Sequence, residues 1–282
     1  MSATVLKTTK RLLDSSRPLI FGMVHVSALP GAPLNKLNID EISKQVCKET
    51  RQYVKAKVDG IIYENMHDLP YQLKHGPETT AFMSRLCRDA VNSLNSSERD
   101  DLLLGIQILA AANKEALSSL TLFAPESFVF AHVADEGLMN ACAGPLIRYR
   151  QQINAENVAI LTDIKKKHSS HAITSDISIG ECAHAAEFFL ADGLIVTGTA
   201  TGSPAQVEDL NAVQHTINLP VLIGSGIDRK NFKKFFNAHG FIVGSYFKKG
   251  GHWKNELDEM KISNFVSLVR GQRRNHNLIL LF

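Results

Sequence analysis

Several ionisable side chains stand directly after short apolar runs, where burial would give them chemical use. Glu64 ends Gly60-Ile61-Ile62-Tyr63-Glu64, and Asp163 ends Val158-Ala159-Ile160-Leu161-Thr162-Asp163. A carboxylate at such a place is costly unless it is wet, paired or metal-bound, so both are candidate acid–base groups. His25 follows Gly22-Met23-Val24 and could be a general base, a ligand or a hydrogen-bonded structural histidine. Lys165 lies two residues beyond Asp163; alternation along a strand puts Asp163, Lys165 and Lys167 on one face. An Asp–Lys pair there can bind a phosphorylated polyol or relay a proton.

A second kind of chemistry lies towards the C-terminus. Thr197, Gly198, Thr201 and Gly202 follow one apolar run, Gly224-Ser225-Gly226 a second, and Gly244-Ser245 a third. Glycine-rich turns at neighbouring strand ends leave backbone N–H groups bare, and bare amides bind phosphate. The expected ligand is therefore a small phosphorylated molecule, with Lys248 or Lys249 adding positive charge and Trp253 covering the site or packing on its rim. Gln107 is suited to orienting a substrate, and Asp135-Glu136-Gly137 reads as a turn leading into the next helix. Asp68 could share a cation with Glu64 or start a turn. His25, Glu64, Asp163 and His168 could hold a divalent metal, but no recognisable metal-ligand spacing is present, so no cofactor is expected.

These residues need a scaffold that brings strand ends together. Strands are expected at Leu19–Val24, Gly60–Glu64, Leu102–Ile108, Phe128–Val133, Val158–Asp163, Gly193–Thr197, Val221–Ile223 and Phe241–Val243. Amphipathic segments lie between them, including Ile39–Lys57, Pro204–Thr216 (with Ser203 as N-cap) and Asn231–Ala238. Strict alternation over eight units predicts an α/β fold, a single (β/α)8 TIM barrel whose chemistry sits at the C-terminal ends of the strands. The phosphate loops then follow strands six to eight. An open doubly wound sheet fits less well, since no Gly-x-Gly-x-x-Gly follows the first strand. Residues 1–17 read as an N-terminal extension or a helix capping the barrel's bottom, 18–271 as the barrel and 272–282 as a tail.

Composition narrows the partners. The net charge of +3 is slight, and the basic clusters lie far apart without interleaved aromatics, so no nucleic acid is expected. No apolar run approaches the ~20 residues of a membrane span, so no membrane association is expected. Four cysteines occur singly with no Cys-x-x-Cys, the pattern of a reduced compartment. That favours the cytoplasm; basic, Ser/Thr-containing residues 1–17 faintly resemble a transit peptide and make the mitochondrial matrix the alternative. The apolar tail Leu278–Phe282 could dock on the body or on a second subunit in a homo-oligomer.

Over nearly its whole length the chain resembles the BtpA/SgcQ family. The resemblance rests on Gly22-Met23-Val24-His25 with Leu29-Pro30-Gly31-Ala32-Pro33, on Asp59–Asn65, on Ala191–Gly202 and on Pro220–Gly226, in this order. The stretch Thr162–His171 looks most like animal members. The resemblance implies a barrel of the ribulose-phosphate-binding kind. The family's namesake is a cyanobacterial factor needed to accumulate photosystem I, and other members are treated as enzymes of sugar metabolism. Many relatives carry an Arg before strand four, where Phe123-Ala124-Pro125-Glu126 stands here, so a role for that Arg does not carry over. The expected function is an enzyme acting on a small phosphorylated, sugar-derived metabolite, with isomerase or lyase chemistry favoured. The alternative is a non-catalytic assembly or biogenesis factor built on a ligand-binding barrel.

Overall fold

The computed structural model describes residues 3–117 and 122–273; the tail segment Leu278–Phe282 lies outside them. Eight parallel strands close into a barrel: Leu19–His25, Gly60–Glu64, Leu103–Gln107, Leu122–Phe123, Ala159–Ile164, Gly193–Val196, Val221–Ile223 and Gly240–Val243. Most are short, Val/Ile/Leu-rich runs, as strands buried on both faces require. Helices cover the outside. Ile39–Lys55 starts at Asn38, which forms a capping box with Glu41, and Ile179–Phe188 starts with the same device in Ser178 and Glu181.

The core has two layers. Val24, Ile61, Ile106, Ile160 and Val243 pack outward against the helices. Phe21, Ile62, Leu161, Ile195 and Leu222 fill the barrel interior. That inner cluster also takes in Val5 and Leu12 of the helix Ala3–Leu13, beside strand-initial residues Leu19, Leu103, Leu122 and Ala159. The helix therefore floors the end of the barrel where the strands begin.

Three local expectations are corrected. The fourth barrel strand is Leu122–Phe123, not Phe128–Val133. His132–Ala134 instead pairs antiparallel with Gly137–Met139 and with Ser169–Ser170, forming a small sheet beside the mouth. Its apolar residues alternate, with His132 and Met139 buried but Val133 and Leu138 exposed. The expected helix Asn231–Ala238 is a 3-10 turn, Phe232–Phe235, whose two buried rings three residues apart match three residues per turn. The helix expected from Pro204 begins at Val207, because Ser203 and Pro204 pack against Gly226 instead.

Two carboxylates hold the strand starts together. Asp59, just before the second strand, accepts both Arg17 guanidinium nitrogens at 2.7 and 2.6 Å and the Ile20 N–H at 2.8 Å. Asp192, just before the sixth, accepts Arg150 at 2.7 Å and the Ile160 N–H at 2.9 Å. Both are buried, so removing either would strand an arginine and a backbone donor. Asp192→Ala is expected to lower stability by about 3 kcal/mol in chemical denaturation, as breaking a buried ion pair does; a loss well under 1 kcal/mol would contradict this.

Candidate functional site

At the C-terminal ends of the strands lies a cavity of about 790 Å³. Strand register sets one wall. His25 stands opposite Glu64, and Glu64 opposite Gln107, so the last residues of the first three strands share one level. Glu126, three residues past the fourth strand, and Asp163 of the fifth continue the ring. All five line the cavity.

Burial sets their charge states. The His25 ring donates from Nδ1 to the Trp253 carbonyl at 3.1 Å, since a carbonyl can only accept, which leaves Nε2 bare and 3.8 Å from Glu64 Oε2. Burial, helped by the charge of Lys248, pulls the imidazole down to about 3, so His25 is neutral. Glu64 is pushed up to about 7, mainly by burial and further by Glu126, against the opposing Lys167 and Lys166. Asp163 is also raised, first by burial and then by Glu126, against both lysines. Lys166 lies 3.3 Å from Glu126 and 3.9 Å from Glu136. Burial works against its ammonium, but Glu126, Asp163 and Glu136 outweigh it and hold the group above its usual value. The wall thus combines carboxyl groups able to exchange protons near neutral pH with a fixed cation.

The opposite wall is backbone. Thr197, Thr201, Gly202, Gly224, Ser225, Gly226, Gly244 and Ser245 all line the same cavity. The N–H groups of Gly202, Ser225, Gly226, Gly244 and Ser245 donate to no acceptor among the described residues. Thr197 Oγ1 is buried there without a hydrogen-bond partner among the described residues. Gly226 has φ +66°, and a Cβ on it would stand 2.3 Å from Pro204 N, so only glycine fits.

Other expected donors are already engaged. Gly198 does not line the cavity; its N–H donates to Ser225 Oγ at 2.6 Å, and that hydroxyl donates to Ser203 O at 2.8 Å. The Gly224 N–H donates to Val196 O. The Thr201 N–H donates to His168 Nε2 at 2.9 Å.

Lys165, expected on the cavity face, does not line the cavity. Its backbone turns left-handed at φ +50°, which ends the strand alternation, and its ammonium donates to the Thr174 and Ile177 carbonyls away from the cavity. Lys166 and Lys167 line the cavity in its place. Lys248 is buried on Glu49 at 2.9 Å and Lys249 pairs with Glu256 at 2.8 Å, and neither lines the cavity. Asp68 braces the loops, accepting the Leu29 N–H at 2.6 Å and Asn65 at 3.0 Å. Among the described residues, no group of three or more His, Cys, Asp or Glu side chains converges as a metal site. Glu126 is not among the expected site residues, because the fourth strand lies earlier than its neighbours suggest; the apolar Leu122-Phe123-Ala124 before it is the available signal.

The chain matches the BtpA family over residues 15–271. An uncharacterized protein of Caenorhabditis elegans, named as mitochondrial, is 52% identical over 270 residues, covering 94% of this chain and 97% of its own length. The photosystem I biogenesis protein BtpA of Synechocystis is 30% identical over 260 residues, covering 89% of this chain and 87% of its own. Among solved structures, KGPDC from Streptococcus mutans superposes with TM-score 0.54 at 13% identity, covering 90% of this chain and 98% of that one. Orotidine 5'-monophosphate decarboxylase from Methanocaldococcus jannaschii, in complex with the inhibitor BMP, gives 0.52 at 14% identity, with 90% and 99% covered. At such identities these two share the fold, a TIM barrel. The extent of the sequence match identifies the chain as a member of the BtpA family.

Proposed function

We propose that the chain is an enzyme that holds a small phosphorylated, sugar-derived metabolite and moves a proton on it, in isomerase or lyase chemistry. One observation carries this reading: a wall of bare amides faces the same cavity as carboxyl groups held near neutrality by burial. The phosphate would accept from the N–H groups of Gly202, Ser225, Gly226, Gly244 and Ser245 and from the Thr197 hydroxyl. Asp163, ionised, would take the proton from a carbon beside a carbonyl. The electron pair then forms an enolate whose oxygen Lys166 stabilises, and Glu64, protonated, returns a proton to the neighbouring atom. Related proteins that bear on this reading include a fold neighbour crystallised with the inhibitor BMP. We place the activity in a reducing compartment, the cytoplasm or, as the name of the worm relative suggests, the mitochondrial matrix.

A second reading, an assembly factor, draws on the Synechocystis relative's name and on exposed Phe188, Phe189 and Leu190, which are 74%, 45% and 60% accessible. Sedimentation decides its main support: a strict monomer whose behaviour is unchanged by Phe188→Ser removes it.

Thermal denaturation with a panel of phosphorylated sugars tests the enzyme reading. A ligand at 100 times its dissociation constant should add about 2.7 kcal/mol of stability. No stabilisation by any monophosphate or by inorganic phosphate would overturn the phosphate assignment. For a ligand that binds, the wild type should exchange a carbon-bound proton for solvent deuterium, read by NMR. Asp163→Asn should slow that exchange about 100-fold or more while leaving the ligand-induced stabilisation in place.

Glu64 also makes a pH prediction. Its native value of about 7 lies above that of an unfolded glutamate, so the native state keeps the proton longer and stability falls as pH rises through 7. Glu64→Gln lacks this loss and should gain about 3 kcal/mol relative to wild type on going from pH 5 to pH 8. Parallel stability curves for the two proteins would refute the assignment.

A further inference from the structure

One group in the cavity has no role in the proton transfer described above. Glu136 occupies the two-residue turn between His132–Ala134 and Gly137–Met139, with Ala134 paired to Gly137. Ser169–Ser170 pins the hairpin from its other side, so the turn is held in place rather than free to swing into solvent. The Glu136 side chain is 8% accessible and lines the cavity. Its Oε2 has no hydrogen-bond partner among the described residues; the Lys166 ammonium, at 3.9 Å, is beyond hydrogen-bond reach and already engages Glu126 at 3.3 Å. A buried carboxylate oxygen without a donor is unfavourable, and a ligand that supplies the donor relieves it.

The charges around it narrow what that ligand can be. Glu64, Glu126, Asp135, Glu136 and Asp163 line this part of the cavity against Lys166 and Lys167. Partial protonation of two of the acids still leaves negative charge in excess, and a second anion placed there would be repelled by groups unable to move away.

Building on the phosphate reading above, we infer that the ligand is a monophosphate whose other end carries no negative charge and presents an N–H or O–H donor to Glu136, as a hexose or amino-hexose monophosphate does. Glu136 is then the residue that sets specificity at the end remote from the phosphate. Bisphosphates and phosphorylated sugar acids are excluded by charge rather than by size, since a cavity of about 790 Å³ has room for them.

Calorimetric titration of the full chain tests this with four ligands of one chain length: a hexose 6-phosphate, its 2-amino analogue, the bisphosphate and the 6-phosphorylated acid. Inorganic phosphate is the fifth probe. The first two should bind at least tenfold more tightly than the bisphosphate and the acid. The ratio between the first two tells whether Glu136 takes an O–H or an N–H. Glu136→Gln should shrink the preference over the acid by tenfold or more while inorganic phosphate binds as before. Leu138→Ser, an exposed change in the same hairpin outside the cavity, should leave the preference intact. Equal binding of the acid or bisphosphate by the wild type would overturn the inference and leave the phosphate site standing. So would a folded Glu136→Gln variant with an unchanged preference. If Glu136→Gln fails to fold, the wild-type panel decides alone. If neither inorganic phosphate nor any monophosphate binds, the phosphate reading falls and takes the inference with it.

Discussion

Several carboxylates are buried at one barrel mouth, and Lys166 is the buried cation among them. It sits against Glu126 and Glu136, with Asp163 near enough to influence its charge. Charges removed from water persist only when paired, so the placement of this ammonium governs which acids stay ionised and which keep a proton. The left-handed turn at Lys165 is what delivers it. Had the strand alternation continued, Lys165 would face the cavity and Lys166 would face the helices. The small sheet beside the mouth, which carries Glu136, completes the same arrangement from above.

Most of the barrel is legible in the sequence because its strands are buried on both faces and therefore read as unbroken apolar runs. Gly60–Glu64 and Val221–Ile223 are recovered with their observed bounds for this reason. The fourth strand fails the same test. Leu122–Phe123 is two residues long, and the more strand-like run Phe128–Val133 lies just beyond it. That run forms a strand only at His132–Ala134, in a different sheet. Local composition signals the propensity to extend but not which sheet an extended segment joins.

The site divides along a similar line. Groups that end regular strands, such as His25, Glu64 and Gln107, are readable because strand register fixes their level and direction. Groups placed by irregular backbone are not. Lys165 and Lys166 exchange roles through one positive φ, which a lysine gives no reason to expect. Gly198 belongs to the right cluster, yet a serine hydroxyl 27 residues away occupies its amide. Such hydrogen bonds come from tertiary contact, and no spacing in the chain encodes them.

The paired carboxylates at the strand starts carry a consequence for the chain's modularity. Asp59 joins the second strand to Ile20 of the first; Asp192 joins the sixth to Ile160 of the fifth, with the same pair of contacts, an accepted N–H and a donated one at 2.8 Å. Counting strands one to four and five to eight as two units, each is fastened just before its own second strand. His25, Glu64, Gln107 and Glu126 belong to the first unit and the run of bare amides to the second. A recombination joint between Glu126 and Ala159 would transplant those four groups together opposite an unchanged wall of bare amides, an inheritable route to new chemistry in one cavity.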